Sequence, residues 1–139
     1  MSGVHVRIRV ASEHYALPVE QVLEVSELGE IAPVPGAPPE VLGVRNLRGQ
    51  VIPVIALATM LGLSGDDPGR LVVAESGELR AGLVVDEVLD VEELSAVSEQ
   101  VDSKYLLGAF LVDGELVGAL DLDAVLTPTE PGGRPLEAL

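Results

Sequence analysis

The sequence of 139 residues contains no cysteine, no tryptophan and only three aromatic side chains, Phe110, Tyr15 and Tyr105. Without cysteine the chain cannot form disulfides, thiolate metal sites or a thiol nucleophile, and its redox compartment is undetermined. With an aromatic fraction of 2%, the core must be filled by Val, Leu, Ile and Ala. Since β-branched side chains suit the pleated surface of a sheet, this composition favours β-structure.

Basic charge is also scarce. The chain has eight basic and 23 acidic residues, so its formal net charge is −15. This charge would repel phosphate backbones and anionic lipid headgroups. The longest apolar stretch, Val51 to Leu63, is too short to span a bilayer, and no signal-peptide pattern precedes the first strand. The sequence therefore predicts a soluble protein that neither binds nucleic acid nor inserts into a membrane.

Alternation of apolar and polar residues predicts strands along most of the chain. Residues 4 to 10 alternate with period two, which is typical of a strand with one buried face. Asp113-Gly114 between two apolar runs predicts a hairpin, and a second one is centred on residues 75–78. Helical periodicity is confined to short stretches near residues 18–22, 57–61 and 121–126. One structural domain, an all-β barrel or sandwich, is the expected fold.

Residues suited to catalysis or metal binding are few. His5 falls on the polar face of the first strand and His14 in a turn, so both are expected to be solvated. No serine lies in a Gly-x-Ser-x-Gly context. The acidic pairs 66–67, 92–93 and 121/123 lack the pattern of a calcium loop and are more simply turns or caps. We therefore expect no enzyme activity, no cofactor and no metal.

The most informative segment runs from Gly43 to Leu57, where two β-branched stretches flank the polar sequence Asn46-Leu47-Arg48-Gly49, here called the elbow. Gly49 supplies a permissive backbone, Leu47 is expected to point inward, and Arg48 to present its guanidinium outward. From spacing alone, a solvated turn arginine in an ordinary β-protein is the simpler interpretation.

The elbow lies within a series of motifs that resembles the CheW family of bacterial chemotaxis adaptors. Its G-V-x-N-L-R-G-x-x-x-P-V pattern matches residues 43–54, and Y-x-L-P-x-x-x-V-x-E-V matches residues 15–25. A proline-containing loop at 33–39, a G-x-x-V-D-x-V strand at 82–88 and a closing segment at 121–126 follow the family order. The resemblance covers roughly residues 4 to 127.

This resemblance implies a specific architecture: two intertwined five-stranded SH3-like β-barrels with a few short helices, packed across a hydrophobic seam. Residues 1–128 would form a single CheW-like domain of two non-contiguous barrel subdomains, and residues 129–139 a flexible C-terminal tail. The loop at 33–39 would be ordered, because its prolines reduce the entropy lost on folding.

The resemblance also implies a function without catalysis, as a cytoplasmic adaptor that joins the tip of a methyl-accepting transmembrane chemoreceptor to the regulatory domain of the histidine kinase CheA. Residues that would contact the kinase are not predicted. Val22, Leu71 and Val91 could equally belong to the seam between the barrels, whereas Glu24 is expected to pair with Arg48. The receptor-facing residues implied by the family are Val22, Glu24, Gly43, Asn46, Arg48, Leu71 and Val91.

Two alternatives remain at this stage. A CheW-like scaffold in a non-chemotactic receptor–kinase pathway, serving motility or development, would have the same fold and elbow with different partners. A small acidic enzyme or metal-binding protein is the remote alternative, and a metal titration would distinguish it.

Overall fold

A computed structural model describes residues 2–64, 69–97, 101 and 103–127. Within them, the chain forms ten strands, two short helices, α1 (Leu57–Met60) and α2 (Leu122–Val125), and a 3₁₀ turn at Val19–Gln21. The helices and the turn confirm all three predicted helical stretches. No helix among the described residues is long and apolar enough to cross a bilayer. The strands are β1 (Ser2–Val10), β2 (Glu13–Pro18), β3 (Val22–Ser26), β4 (Val41–Leu47), β5 (Gln50–Ala56), β6 (Arg70–Ser76), β7 (Leu79–Val85), β8 (Glu87–Val97), β9 (Leu106–Val112) and β10 (Glu115–Leu120).

The strands form two five-stranded sheets, which confirms the predicted all-β fold. The first sheet has the order β1-β2-β10-β9-β8 and closes into a barrel where β8 pairs with β1. The second has the order β3-β6-β7-β5-β4. Its strands come from one unbroken stretch, residues 22–85, whereas the first sheet combines the stretches on either side. Only the first sheet is therefore discontinuous in sequence.

Strand β4, at one edge of the second sheet, is hydrogen-bonded to the connecting segment that follows β3 and to the end of β3 itself. Ala32 and Val44 exchange two backbone hydrogen bonds of 2.8 Å. Arg45 donates from Nη1 to Ser26 Oγ at 3.3 Å and to the Glu27 carbonyl at 2.9 Å. These contacts tie β4 to the end of β3 and satisfy polar groups at an otherwise open sheet edge.

Buried side chains form three clusters, and the largest lies between the two sheets. A second, around Phe110, fills the first barrel, and a third lies on the other face of the second sheet. The first cluster is the hydrophobic seam that the family resemblance implies. It includes Val6, Ile8, Val10 and Leu17 from the first sheet and Ile55, Val72, Ala81 and Leu83 from the second.

The expectation that His5 is a solvated surface residue is wrong. His5 is only 6% exposed, its ring packs edge-on against Phe110 with 4.7 Å between centroids, and its Nδ1 lies 2.9 Å from the Gly3 carbonyl oxygen. Around His5, strand β1 is covered on both faces, since Val6 and Ile8 face the seam and His5 packs on Phe110 of the barrel cluster. His14 is partly buried, with its Nδ1 2.8 Å from Arg7 Nη2.

Candidate partner-binding site

The elbow is a two-residue hairpin turn. Leu47 pairs with Gln50, so Arg48 and Gly49 alone connect β4 to β5. Their φ angles are +52° and +85°, the pattern of a type I′ turn. Glycine adopts this backbone readily, but a left-handed arginine costs about 1 kcal/mol. Such strain persists only where the surroundings hold it, and it is concentrated at functional positions.

Neighbouring side chains hold the turn in this shape. Asn46 accepts a hydrogen bond from the Gly49 backbone N–H through Oδ1 at 2.9 Å. Leu47 packs against the core cluster of the second sheet, whereas the Arg48 side chain is 78% exposed. The predicted directions of Leu47 and Arg48 are therefore confirmed.

The predicted ion pair between Glu24 and Arg48 is present. Arg48 donates from Nη1 to Glu24 Oε2. Glu24 lies on β3, just after an irregularity in the β3–β6 pairing between Val22 and Glu24, and its side chain is 20% exposed. Because a bulge re-aims the side chains that follow it, the register shift helps to direct Glu24 towards the elbow.

A cleft of about 280 Å³ lies beside this pair, lined in part by Leu23, Leu47 and Arg80. Arg80 donates to Glu75 Oε2 at 3.0 Å and also to Gln50 Oε1. The cleft thus places a second guanidinium near Arg48. Arg80 belongs to no motif that the sequence reveals. Its pairing with Glu75 is indicated only by the register of the β6–β7 hairpin, which places the two residues opposite each other.

Gly43 has a clear structural role in the same strand. Its φ is +153°, and a Cβ added there would lie 2.2 Å from the Ala32 carbonyl oxygen. Only glycine therefore allows the connecting segment to approach β4 this closely. A direct contact between Gly43 and a partner stays a prediction.

The three apolar residues implied as receptor contacts lie in different environments. Leu71 is fully buried in the core cluster of the second sheet, so we correct it from a contact residue to a core residue. Val22 is partly buried against the seam. Val91 is 61% exposed and lies on β8 of the first sheet, opposite Val6. The structure thus brings Glu24, Asn46 and Arg48 together and places Val91 on the other sheet.

Asp121 and Asp123, one of the acidic pairs considered for metal binding, serve local structure. Asp121 caps α2, accepting from the Ala124 N–H at 3.4 Å, and Asp123 accepts from the Ser76 hydroxyl. No group of three potential metal ligands occurs among the residues that the structure describes. The acidic pair 66–67 and the tail at 129–139 lie outside them.

Two packed five-stranded sheets with an exposed arginine on a strained, ion-paired turn define a small β-barrel binding module. The chain belongs to the CheW-like domain family, whose family model matches residues 5–130. It is 36% identical over 120 residues to the chemotaxis protein CheW of Thermotoga maritima, covering 80% of this chain and 79% of that one. It is 31% identical over 128 residues to the CheW of Bacillus subtilis, covering 84% and 82%.

A solved structure agrees with this assignment. The crystal structure of the scaffolding protein TtCheW from Thermoanaerobacter tengcongensis matches with a TM-score of 0.78 and 27% identity, covering 87% of this chain and 90% of that one. The match supports a fold shared with a scaffolding protein over most of the chain.

Proposed function

We propose that this protein couples the cytoplasmic tip of a transmembrane chemoreceptor to the regulatory domain of a CheA-type histidine kinase. It is a chemotaxis adaptor, as its family and its relatives named CheW indicate. Beyond this role, we propose the identity of its two partners, the receptor tip and the kinase domain. On this proposal the protein works in the cytoplasm, at receptor arrays that it reaches through its partners, and it catalyses no reaction.

One observation carries the receptor-binding part of the proposal. Arg48 keeps an exposed guanidinium on a left-handed turn, where glycine, asparagine or aspartate would fit with less strain. Glu24 and Asn46 fix that turn, so the guanidinium is presented in one orientation. A planar group with five donors recognises carboxylates or helix carbonyls directionally, which suits docking against a helical receptor tip.

The remaining predicted contacts fit a partner that extends from the elbow. Leu23, which lines the cleft beside the ion pair, adds apolar surface, since it is 42% exposed. Val91 offers apolar surface on the first sheet. A receptor helix with apolar side chains on one face would contact the apolar surface at Leu23 and at Val91. We therefore retain Val22, Glu24, Gly43, Asn46, Arg48 and Val91 as proposed receptor contacts.

Calorimetric titration tests both partners. The purified protein is titrated with the regulatory domain of the CheA-type kinase and with the receptor tip from the same cell. We expect micromolar or tighter kinase binding, and receptor binding that Arg48→Ala abolishes. Arg70→Ala is the matched control, because it removes the same charge from an exposed position of the second sheet. Equal loss in both variants would contradict a specific role for the elbow.

A scaffold role in a non-chemotactic receptor–kinase pathway would use the same elbow with other partners. Absence of binding to any chemotaxis kinase, with retained binding to a kinase encoded near this gene, would favour that alternative.

A further inference from the structure

The chain crosses from the second sheet to the first at a single residue. β7 ends at Val85 and β8 begins at Glu87, so Asp86 alone connects the two sheets there. The other crossing, from β2 to β3, uses the three residues of the 3₁₀ turn. With so short a connection, the bonds of Asp86 strongly restrict how the sheets lie relative to each other.

Asp86 is bonded to the first sheet through both its backbone and its side chain. Its N–H donates to the Arg9 carbonyl at 3.0 Å. Its Oδ1 accepts from the Ala11 N–H at 3.1 Å, and its Oδ2 lies 3.6 Å from Arg9 Nη1. Arg9 is held in turn by Glu87 Oε1 at 3.2 Å and by the Ala11 carbonyl at 2.7 Å. The crossing residue is thereby fixed to the β1–β2 turn.

Two features indicate that the local structure depends on the bonds of Asp86. The Asp86 side chain is only 7% exposed, so its carboxylate depends on protein partners in place of water. Ala11 has a φ of +55°, a left-handed conformation that alanine rarely adopts. Loss of the acceptor would leave the Ala11 N–H without its partner and free the turn to relax.

We propose that Asp86 is a positioning residue that fixes the relative orientation of the two sheets through Ala11 and Arg9. The elbow lies on the second sheet and Val91 on the first, so a partner contacting both is sensitive to this orientation. This consequence for binding rests on the proposed function, whereas the claim about orientation does not.

Distance measurement between spin labels tests the orientation directly. Because the chain has no cysteine, Glu78→Cys in the β6–β7 turn of the second sheet and Leu116→Cys on β10 of the first provide two unique labelling sites at exposed positions. Double electron–electron resonance should give one narrow distance for the otherwise unaltered protein. Asp86→Ala should lose that single narrow distance, and Asp86→Asn should broaden it less, because the amide oxygen still accepts from Ala11 while the ion pair with Arg9 is lost.

Glu87→Gln is the matched control, since it weakens the neighbouring contact with Arg9 and leaves Asp86 in place. Unchanged distances in Asp86→Ala would overturn the proposal. If Asp86→Ala fails to fold, Arg9→Met provides the second test, because it removes the ion pair and keeps the apolar stem. A narrow distance in Arg9→Met would then overturn the proposal, and a broadened one would support it.

Receptor-tip titration separates orientation from function. We expect Asp86→Ala to bind at least about fivefold more weakly, the lower end of typical conformational coupling. Broadened distances with unchanged affinity would refute the link to binding alone. Failure of the unaltered protein to bind the tip would refute the proposed function, while the distance measurement would still decide the role of Asp86.

Discussion

Arg48 and Glu24 form an ion pair between residues of very different exposure, 78% for the arginine side chain and 20% for the glutamate. The glutamate is thus the more buried partner, held on β3, whereas the arginine exposes its guanidinium to solvent and to a binding partner. An exposed pair of this kind stabilises a protein by only about 0–1 kcal/mol. Its value therefore lies in orienting the guanidinium.

The first prediction compares two substitutions that both remove the guanidinium. Arg48→Gly relieves the left-handed strain at this position, whereas Arg48→Ala retains it, so the glycine variant should be the more stable by about 1 kcal/mol. Chemical denaturation measures the difference. Both variants should lose receptor binding equally. Restored binding in the more stable variant would show that Arg48 acts through stability alone.

The second prediction concerns the coupling between Glu24 and Arg48. In a double-mutant cycle of Glu24→Gln and Arg48→Gln, the coupling free energy for unfolding should be about 0–1 kcal/mol. The cycle for receptor binding should also be non-additive, because Glu24 acts by orienting Arg48. Additive losses in the binding cycle would instead make each residue an independent contact.

Sequence reasoning succeeded where local chemistry decides the structure. The Asp113-Gly114 turn follows from its residues, and both have positive φ. The inward and outward directions of Leu47 and Arg48 follow from alternation across a turn. The Glu24–Arg48 pair required the family resemblance, because β3 and the β4–β5 turn are brought together only by the sheet order.

Long-range packing explains what the sequence could not reveal. His5 was expected to be solvated because a polar face of a strand usually meets water, but here that face lies inside a closed barrel. Leu71 is apolar in either role, and only the fold shows it to be buried. The family resemblance predicts one strand over residues 82–88, whereas the chain changes sheet at Asp86. A mostly apolar run cannot indicate such a crossing.

The third prediction concerns Gly43. Gly43→Ala would place a Cβ 2.2 Å from the Ala32 carbonyl oxygen, so the connecting segment must move away from β4. We expect destabilisation of about 1–3 kcal/mol or more, measured by thermal and chemical unfolding. Gly77→Ala is the control, because its φ is also positive but no atom lies within 4 Å of the added carbon. Equal effects would attribute the cost to backbone strain and contradict the proposed steric role.

The fourth prediction concerns Tyr15, which is 8% exposed and packs so closely that a Cβ at Gly118 would lie 2.8 Å from its ring. Burial, followed by the nearby charge of Glu13, raises the pKa of Tyr15 above its ordinary value of 10.0. The folded state therefore holds the phenolic proton more tightly than the unfolded state does. The resulting stability is fully present below pH 10.0 and is lost as the pH rises through the raised pKa.

Absorbance titration of Tyr105→Phe tests this prediction, because Tyr15 is then the only phenol and the chain has no tryptophan. Its ionisation midpoint should lie above 10.0 in the folded protein. Unfolding free energies of Tyr15→Phe should lack the part of the alkaline decline that this phenol causes. A midpoint at or below 10.0 would mean that the hydroxyl reaches water despite the buried ring, and that the alkaline loss of stability has another source.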